Sequence, residues 1–532
     1  MVSALRLPFV IALGACAGAG EQGPAATASG TLGDSGATAE PVAAISAREQ
    51  LVRLSMQLAG RRAPAEWVLA ADDPVTFEAA LSALLDDPAL GFRAAFVWNE
   101  QLHLAAFGED GSRWQEIDGL ARRSLNWEPL AGVMAVVNED RPMSDLVTAQ
   151  EWPANEDVAE VTGRAWSGEP GEWVALPYAD GRPMAGMLST AGLWARHAAD
   201  ATNYHRRRAN LVARVFVCAD FFDRDVNFEL ATADVASASV EDAVRTDGAC
   251  TTCHASLDPL AGFFGGFGER SEPSELRPWL QWSPALADFS AASFTPGWYG
   301  VPAADLSELG PIIADDPRFP RCIARRTYEW LTGADFAAEP DRERIVVDFV
   351  EGGLVFDALV RSIVATPAWA APGDNAATAD QIATAATAAY ALPMGDWGVW
   401  AGVEDAVFDG ELRALSGDTD DETVLVRNSS RGSGMQLATD WVTRAVVVEA
   451  MKLDQSRAAA DRQLLPSVDD PDEAALRTHL AGLYLRFTSR EVEPDGGEVD
   501  RLLALYNESG GGEEGWSTVL VALGRHPDVV RF

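Results

Sequence analysis

One lysine, Lys452, stands in a chain of 532 residues; every other basic residue is an arginine. Six histidines and five cysteines complete a short list of soft ligands. Acids outnumber bases 80 to 41, for a net charge of −39. That balance argues against a nucleic-acid surface, which needs a basic patch. It leaves two readings of the acidic face: a solvated surface, or steering of a basic redox partner. No stretch reaches the ~18 uninterrupted apolar residues of a membrane helix. There is no P-loop, no GxSxG and no HExxH, so phosphate cradling, the nucleophile elbow and zinc proteolysis have no footing. The Asp-rich turn Asp418-Thr419-Asp420-Asp421 lacks the EF-hand spacing. A hydrophobic content of 48% with 23% charged residues describes an ordinary folded chain, long enough for several domains.

Against that scarcity stands Cys250-Thr251-Thr252-Cys253-His254. Two thiols two residues apart, with an imidazole directly after, form the attachment signature of a c-type haem. The chemistry needs that spacing: each thiol bonds one vinyl group, and the next residue lies under the iron as proximal ligand. A structural zinc site wants four Cys or His ligands, usually from a second close pair, and the chain has none. Cys250, Cys253 and His254 are therefore expected to hold one covalent haem c, with another metal or no ligand as the alternatives. From Ala255 to Pro393 there is no Met and no His. The sixth iron position is then filled from upstream (Met184, Met187, His197 or His205), from far downstream (Met394 or Met435), or left open. Met184 leads that group.

The chain begins with Arg6 ahead of the short apolar run Leu7–Ala12, as in a secretory signal peptide. Leu13-Gly14-Ala15-Cys16 resembles the lipobox of bacterial lipoproteins, which makes Cys16 a lipidation site and residues 1–16 the signal; a plain signal peptide is the alternative. Residues 17–45 are rich in Ala, Gly, Ser, Thr and Pro and read as a disordered tether. The expectation is an exported lipoprotein, periplasmic or at the outer membrane, that touches the bilayer through its lipid alone. In an oxidising compartment Cys218 and Cys322 either pair as a disulfide or stay as two buried small side chains.

Periodicity predicts a mainly α, multi-helical chain with long irregular loops. Leu51, Leu54 and Leu58, then Phe77, Leu81 and Leu85, mark amphipathic helices. Residues 100–180, rich in Trp, Pro and Gly, read as irregular helices and loops. Arg206-Arg207-Arg208 opens a helix with Leu211, Val215 and Cys218 on one face. Those arginines suit either haem propionates or a solvated helix start. The glycines from Gly262 to Gly268 let backbone approach a large flat ligand. The Ala/Thr-rich residues 370–390 read as a linker or a weak helix. Leu58-Ala59-Gly60-Arg61, Leu331-Thr332-Gly333-Ala334 and Phe487-Thr488-Ser489-Arg490 each close a helix. Each is soon followed by proline and by helices that end at Pro88, Pro367 and Pro527. That repetition predicts three copies of one small helical unit.

Four blocks carry a resemblance: Arg53-Leu54-Ser55 with Gly60-Arg61-Arg62, Ala185-Gly186 through Asn210, Cys250 through Pro259, and Pro317 through Trp369. Together they resemble the exported cytochrome-c-like proteins of planctomycetes and myxobacteria built from DUF1549, DUF1588 and DUF1585 type domains. The resemblance implies an N-terminal helical domain at 46–180, a haem-binding domain at 181–300 and a helical domain at 301–372. A further helical domain follows at 373–532. It implies covalent haem and export, and no particular reaction. Gly262–Gly268 departs from the Gly-Phe-x-x-Glu-x-Phe-Asp stretch usual in these families. Three roles follow: electron transfer to an unknown redox partner, a peroxidase-like haem enzyme with an open distal site, or a surface scaffold with structural haem.

Overall fold

The computed structural model describes residues 44–104, 119–197, 199, 204–223, 248–268, 281–373, 375–392, 415–417, 432–466 and 471–532. Cys16, residues 17–43 of the expected tether and Met394 lie outside the described residues; the tether's last residue, Ile45, is instead fixed to the fold, its N–H donating to the Ala370 carbonyl at 2.9 Å. Helix dominates what is described. The strands are two short antiparallel pairs: β1 (Trp152–Ala154) with β2 (Val174–Leu176), and β3 (Gly297–Trp298) with β4 (Val301–Pro302).

The first helix, α1 (Ala47–Ala59), is fixed at both ends. Ser46 and Glu49 cap each other's backbone at its start, and Gly60, at φ +67°, closes it in the left-handed conformation. Every residue from Leu51 to Ala59 is buried. Leu54 and Leu58 face a main core that extends to Trp369. Val52 and Met56 face a second core built otherwise from residues 376–529. The polar residues of α1 are satisfied by distant backbone. Arg53 Nη1 donates to the Trp369 and Ala371 carbonyls at 2.5 and 2.8 Å. Gln57 Nε2 donates to the Leu331 carbonyl at 2.6 Å, and its Oε1 accepts from the Trp369 indole at 2.9 Å.

The helices α2 (Ala65–Leu69), α3 (Pro74–Leu85) and α4 (Ala89–Leu102) follow. Next comes α5 (Gly119–Asn138), a 20-residue helix where irregular structure was expected. Its interior Pro129 hides it from a sequence reading. Proline has no N–H for the carbonyl four residues back, that of Leu125. The structure uses the gap: a Cβ on Gly192 would stand 1.9 Å from that same carbonyl oxygen. Then come α6 (Asp145–Thr148), α7 (Glu156–Thr162), α8 (Ala191–Arg196), α9 (Arg206–Val217), α10 (Gly248–Ala261) and α11 (Pro284–Ser293).

Beyond these lie α12 (Leu306–Asp315), α13 (Arg318–Thr332), α14 (Arg342–Glu351) and α15 (Phe356–Val364). Residues 370–390 are no linker. They form α16 (Ala379–Ala389), started by a Thr378/Gln381 capping box and buried along Ile382, Ala385 and Ala389. Its alanines let it lie against α17 (Ser433–Ser456) in the second core, which α18 (Glu473–Thr488), α19 (Gly497–Glu508) and α20 (Gly512–Gly524) complete.

The repeated helix endings have a common mechanism. Gly60, Gly333 and Ser489 all close their helices left-handed, at φ 67°, 67° and 59°. In α13 and α18 a threonine finishes the turn: Thr332 donates to the Tyr328 carbonyl and accepts from Ala334 N–H, and Thr488 does the same with Tyr484 and Arg490.

Candidate functional site

Cys250, Cys253 and His254 lie on α10 at helical offsets of three and four, so they share one face. Both cysteines are unbonded and half-buried. Cys253 packs against the main core, with Sγ 3.7 Å from the Phe221 carbonyl oxygen. The His254 ring is 23% exposed and meets Asp258, one turn on, with Nδ1 2.9 Å from Oδ1. Arg206, at the start of α9, donates to both oxygens of the same carboxylate, at 2.6 Å through Nε and 3.1 Å through Nη2. Burial pushes the Asp258 carboxyl up, but hydrogen bonds from His254 and Arg206 outweigh it and hold it below the usual carboxylate range. An ionised carboxylate only accepts, so Nδ1 is the donor, and in the neutral ring the lone pair then lies on Nε2. That is the tautomer a metal-ligating histidine needs, with its outer nitrogen held by a carboxylate.

The three arginines before this site have three fates. Arg206 holds Asp258, and Arg207 is exposed. Arg208 is fully buried and donates to the carbonyls of His197 at 3.0 Å and Phe264 at 3.3 Å. It is therefore fold-bearing and not a partner for a propionate. His205 is held by Arg208 Nη1 at 3.0 Å, and His197 Nε2 lies 2.6 Å from the Leu102 carbonyl. Burial, then the nearby arginines, keeps both rings neutral; His205 is pushed down to about 3.

Met184 packs in a small cluster around Val158, Tyr178 and Ala191, separate from the core that Cys253 touches. Met187 is fully buried in the main core, and Met435 in the second. The glycine run serves the protein's own packing. Gly262–Phe267 is a buried 3₁₀ segment, and a Cβ on Gly265 would stand 2.1 Å from Ser290 Cβ, one on Gly266 2.5 Å from the Trp282 ring. Helix α11 and Trp282 thus occupy the space expected for a flat ligand. Cys218 and Cys322 are joined, which ties the end of α9 to α13 and leaves the α10 thiols as a free pair.

Sequence reasoning missed a buried polar network behind the site. Glu128 on α5 accepts from Arg164 Nη2 at 2.6 Å, from the Tyr178 hydroxyl and from Gly192 N–H at 2.9 Å. Arg182 lies 3.6 Å over the Tyr178 ring and pairs with Asp180 at 2.6 Å. Asp180 in turn accepts from Trp282 N–H at 2.8 Å. Burial first, then Glu128, drives the Tyr178 hydroxyl above its ordinary range, so it stays a donor. No spacing signals this set, because its members come from separate segments.

No family model, curated protein or solved structure matches this chain.

Proposed function

We propose that this chain is an exported, lipid-anchored c-type haem protein that passes single electrons outside the cytoplasm. One observation carries the reading. Two free thiols and a histidine share a face of α10, and the Asp258 carboxylate holds that histidine's Nδ1 proton, which leaves Nε2 for a metal. Cys250 and Cys253 would hold the porphyrin, and His254 would stand as the proximal ligand. Bound haem supplies an iron that cycles between ferrous and ferric. The protein's own part is to orient the imidazole through Asp258, to fix Asp258 through Arg206, and to hold α10 against the core through Cys253. The net charge of −39 supports a basic redox partner, drawn in by long-range attraction. Export and the anchor rest on Leu13-Gly14-Ala15-Cys16, outside the described residues.

The test is the optical spectrum of protein produced with a c-type haem maturation system, with a pyridine haemochrome. Covalent haem with a low-spin reduced spectrum, lost in the Cys250→Ser/Cys253→Ser variant, is the expected result. A high-spin spectrum that shifts with carbon monoxide would replace electron transfer by the open-site enzyme. Protein without haem would overturn the assignment.

A further inference from the structure

Helix α17 buries one side in the second core, along Met435, Ala438, Val442, Val446 and Ala450, and turns the other to water. The outer side of such a helix is normally polar. Here Leu437, Trp441 and Val448 stand 58%, 44% and 51% exposed. With Arg444 among them they fall at steps of four, three and four, which is the spacing of a coiled-coil seam. The row is about 16 Å long at ~1.5 Å per residue. Single exposed apolar residues need no explanation, but a continuous row marks an interaction surface.

The charges beside the row point to its occupant. Arg444 Nε lies 3.1 Å from Asp440, which also pairs with Arg525, and Lys452 Nζ lies 2.7 Å from Glu449. Each of these acids is matched by a base, in a chain of net charge −39. Two copies of so acidic a chain repel each other, and a locally balanced face is where they can meet. The row is also self-complementary. A two-fold axis between Val442 and Thr443 sets Leu437 level with the second copy's Val448, and Trp441 level with the second copy's Arg444. A guanidinium against an indole is attractive. The same axis brings Asp440 level with Ala445 and Glu449 level with Gln436, so no acid meets an acid. Parallel pairing would set Arg444 against Arg444 and lose both advantages.

We propose that the outer face of α17 is the seam of a two-fold dimer of this chain, packed antiparallel along Leu437, Trp441, Arg444 and Val448. The seam lies on the second core and does not depend on haem.

The test is sedimentation equilibrium of the full chain carrying Cys16→Ser, so that no lipid gathers the copies. A seam this short predicts a reversible dimer with a Kd of about 1–100 µM. Added salt should tighten it, because screening weakens the repulsion between two acidic chains. Leu437→Glu should weaken it at least about tenfold by setting an unpaired acid against Val448. The double variant Leu437→Glu/Val448→Lys should recover the parent's affinity to within about threefold, because only antiparallel packing brings the two new charges together. Both positions are exposed, so each variant should melt with the parent in dilute solution. The proposal is overturned by a chain that stays monomeric throughout that range, by a dimer that salt dissociates, by a dimer that Leu437→Glu leaves unchanged, or by a double variant as weak as the single one.

Discussion

Asp258 sits four residues after His254 and sets what that histidine can do. A carboxylate on Nδ1 raises the basicity of the imidazole, and a more basic proximal ligand favours ferric over ferrous iron. Arg206 draws on the same carboxylate and tempers it. In the haem-loaded protein, Asp258→Asn is expected to favour reduction by about tenfold, ~59 mV for one electron, in a potentiometric titration. Arg206→Gln should shift the potential the other way. If the arginine acts through the carboxylate, Arg206→Gln should do nothing in the Asp258→Asn background; an equal shift there would reduce its role to through-space charge. The CxxCH run is legible from local spacing alone. The contact of Asp258 with Arg206 is not, because that arginine comes from another helix, 52 residues upstream. Arg208 shows the converse: next to Arg206 in sequence, it points into the core and carries only the fold.

Elements were legible where a local rule governs them. Leu51, Leu54 and Leu58 declare α1, and the Gly60, Gly333 and Ser489 endings declare their helices because left-handed closure has a residue signature. Two elements hid for physical reasons. Pro129 interrupts the pattern of α5, although Gly192 packs against the carbonyl that Pro129 frees. Alanine gives α16 too little contrast to read as a core helix, yet small side chains suit that helix–helix contact. The link between Cys218 and Cys322 acts at this scale too, since it fastens the end of α9 to α13 across 104 residues. The chain-entropy relation gives about 4–5 kcal/mol for a loop of that length. Cys218→Ala/Cys322→Ala should lose that much in urea unfolding, with a steeper slope because the unlinked denatured chain exposes more surface; a midpoint equal to the parent's would refute it.

Taken whole, residues 43–532 form one contact unit, and α1, with Trp127 of α5, packs against both of its cores. The main core draws on side chains from 54 to 369, across the boundaries expected near 180 and 300. Hydrophobic pattern marks which face of a helix is buried, but not which distant segment covers it. The second tie is the buried pair of Arg93 on α4 and Asp380 on α16. Arg93→Ala strands a buried carboxylate and is expected to cost about 3–5 kcal/mol. Because the cores share α1, near-ultraviolet dichroism and proteolysis of the C-terminal helices should report one coincident transition. Two separated transitions would divide the molecule.

The burial of α1 also sets an order in time. Among the described helices it is synthesised first, yet the groups that satisfy it lie 274 to 325 residues later, at Leu331, Trp369 and Gln381. Contacts that distant are slow to close, and a helix that the fold buries on every side keeps its leucines and its unsatisfied polar groups exposed until they do. Synthesis from the N-terminus therefore leaves the earliest of the described helices unprotected the longest. A premature stop anywhere before Gln381 releases a chain that cannot cover its own beginning.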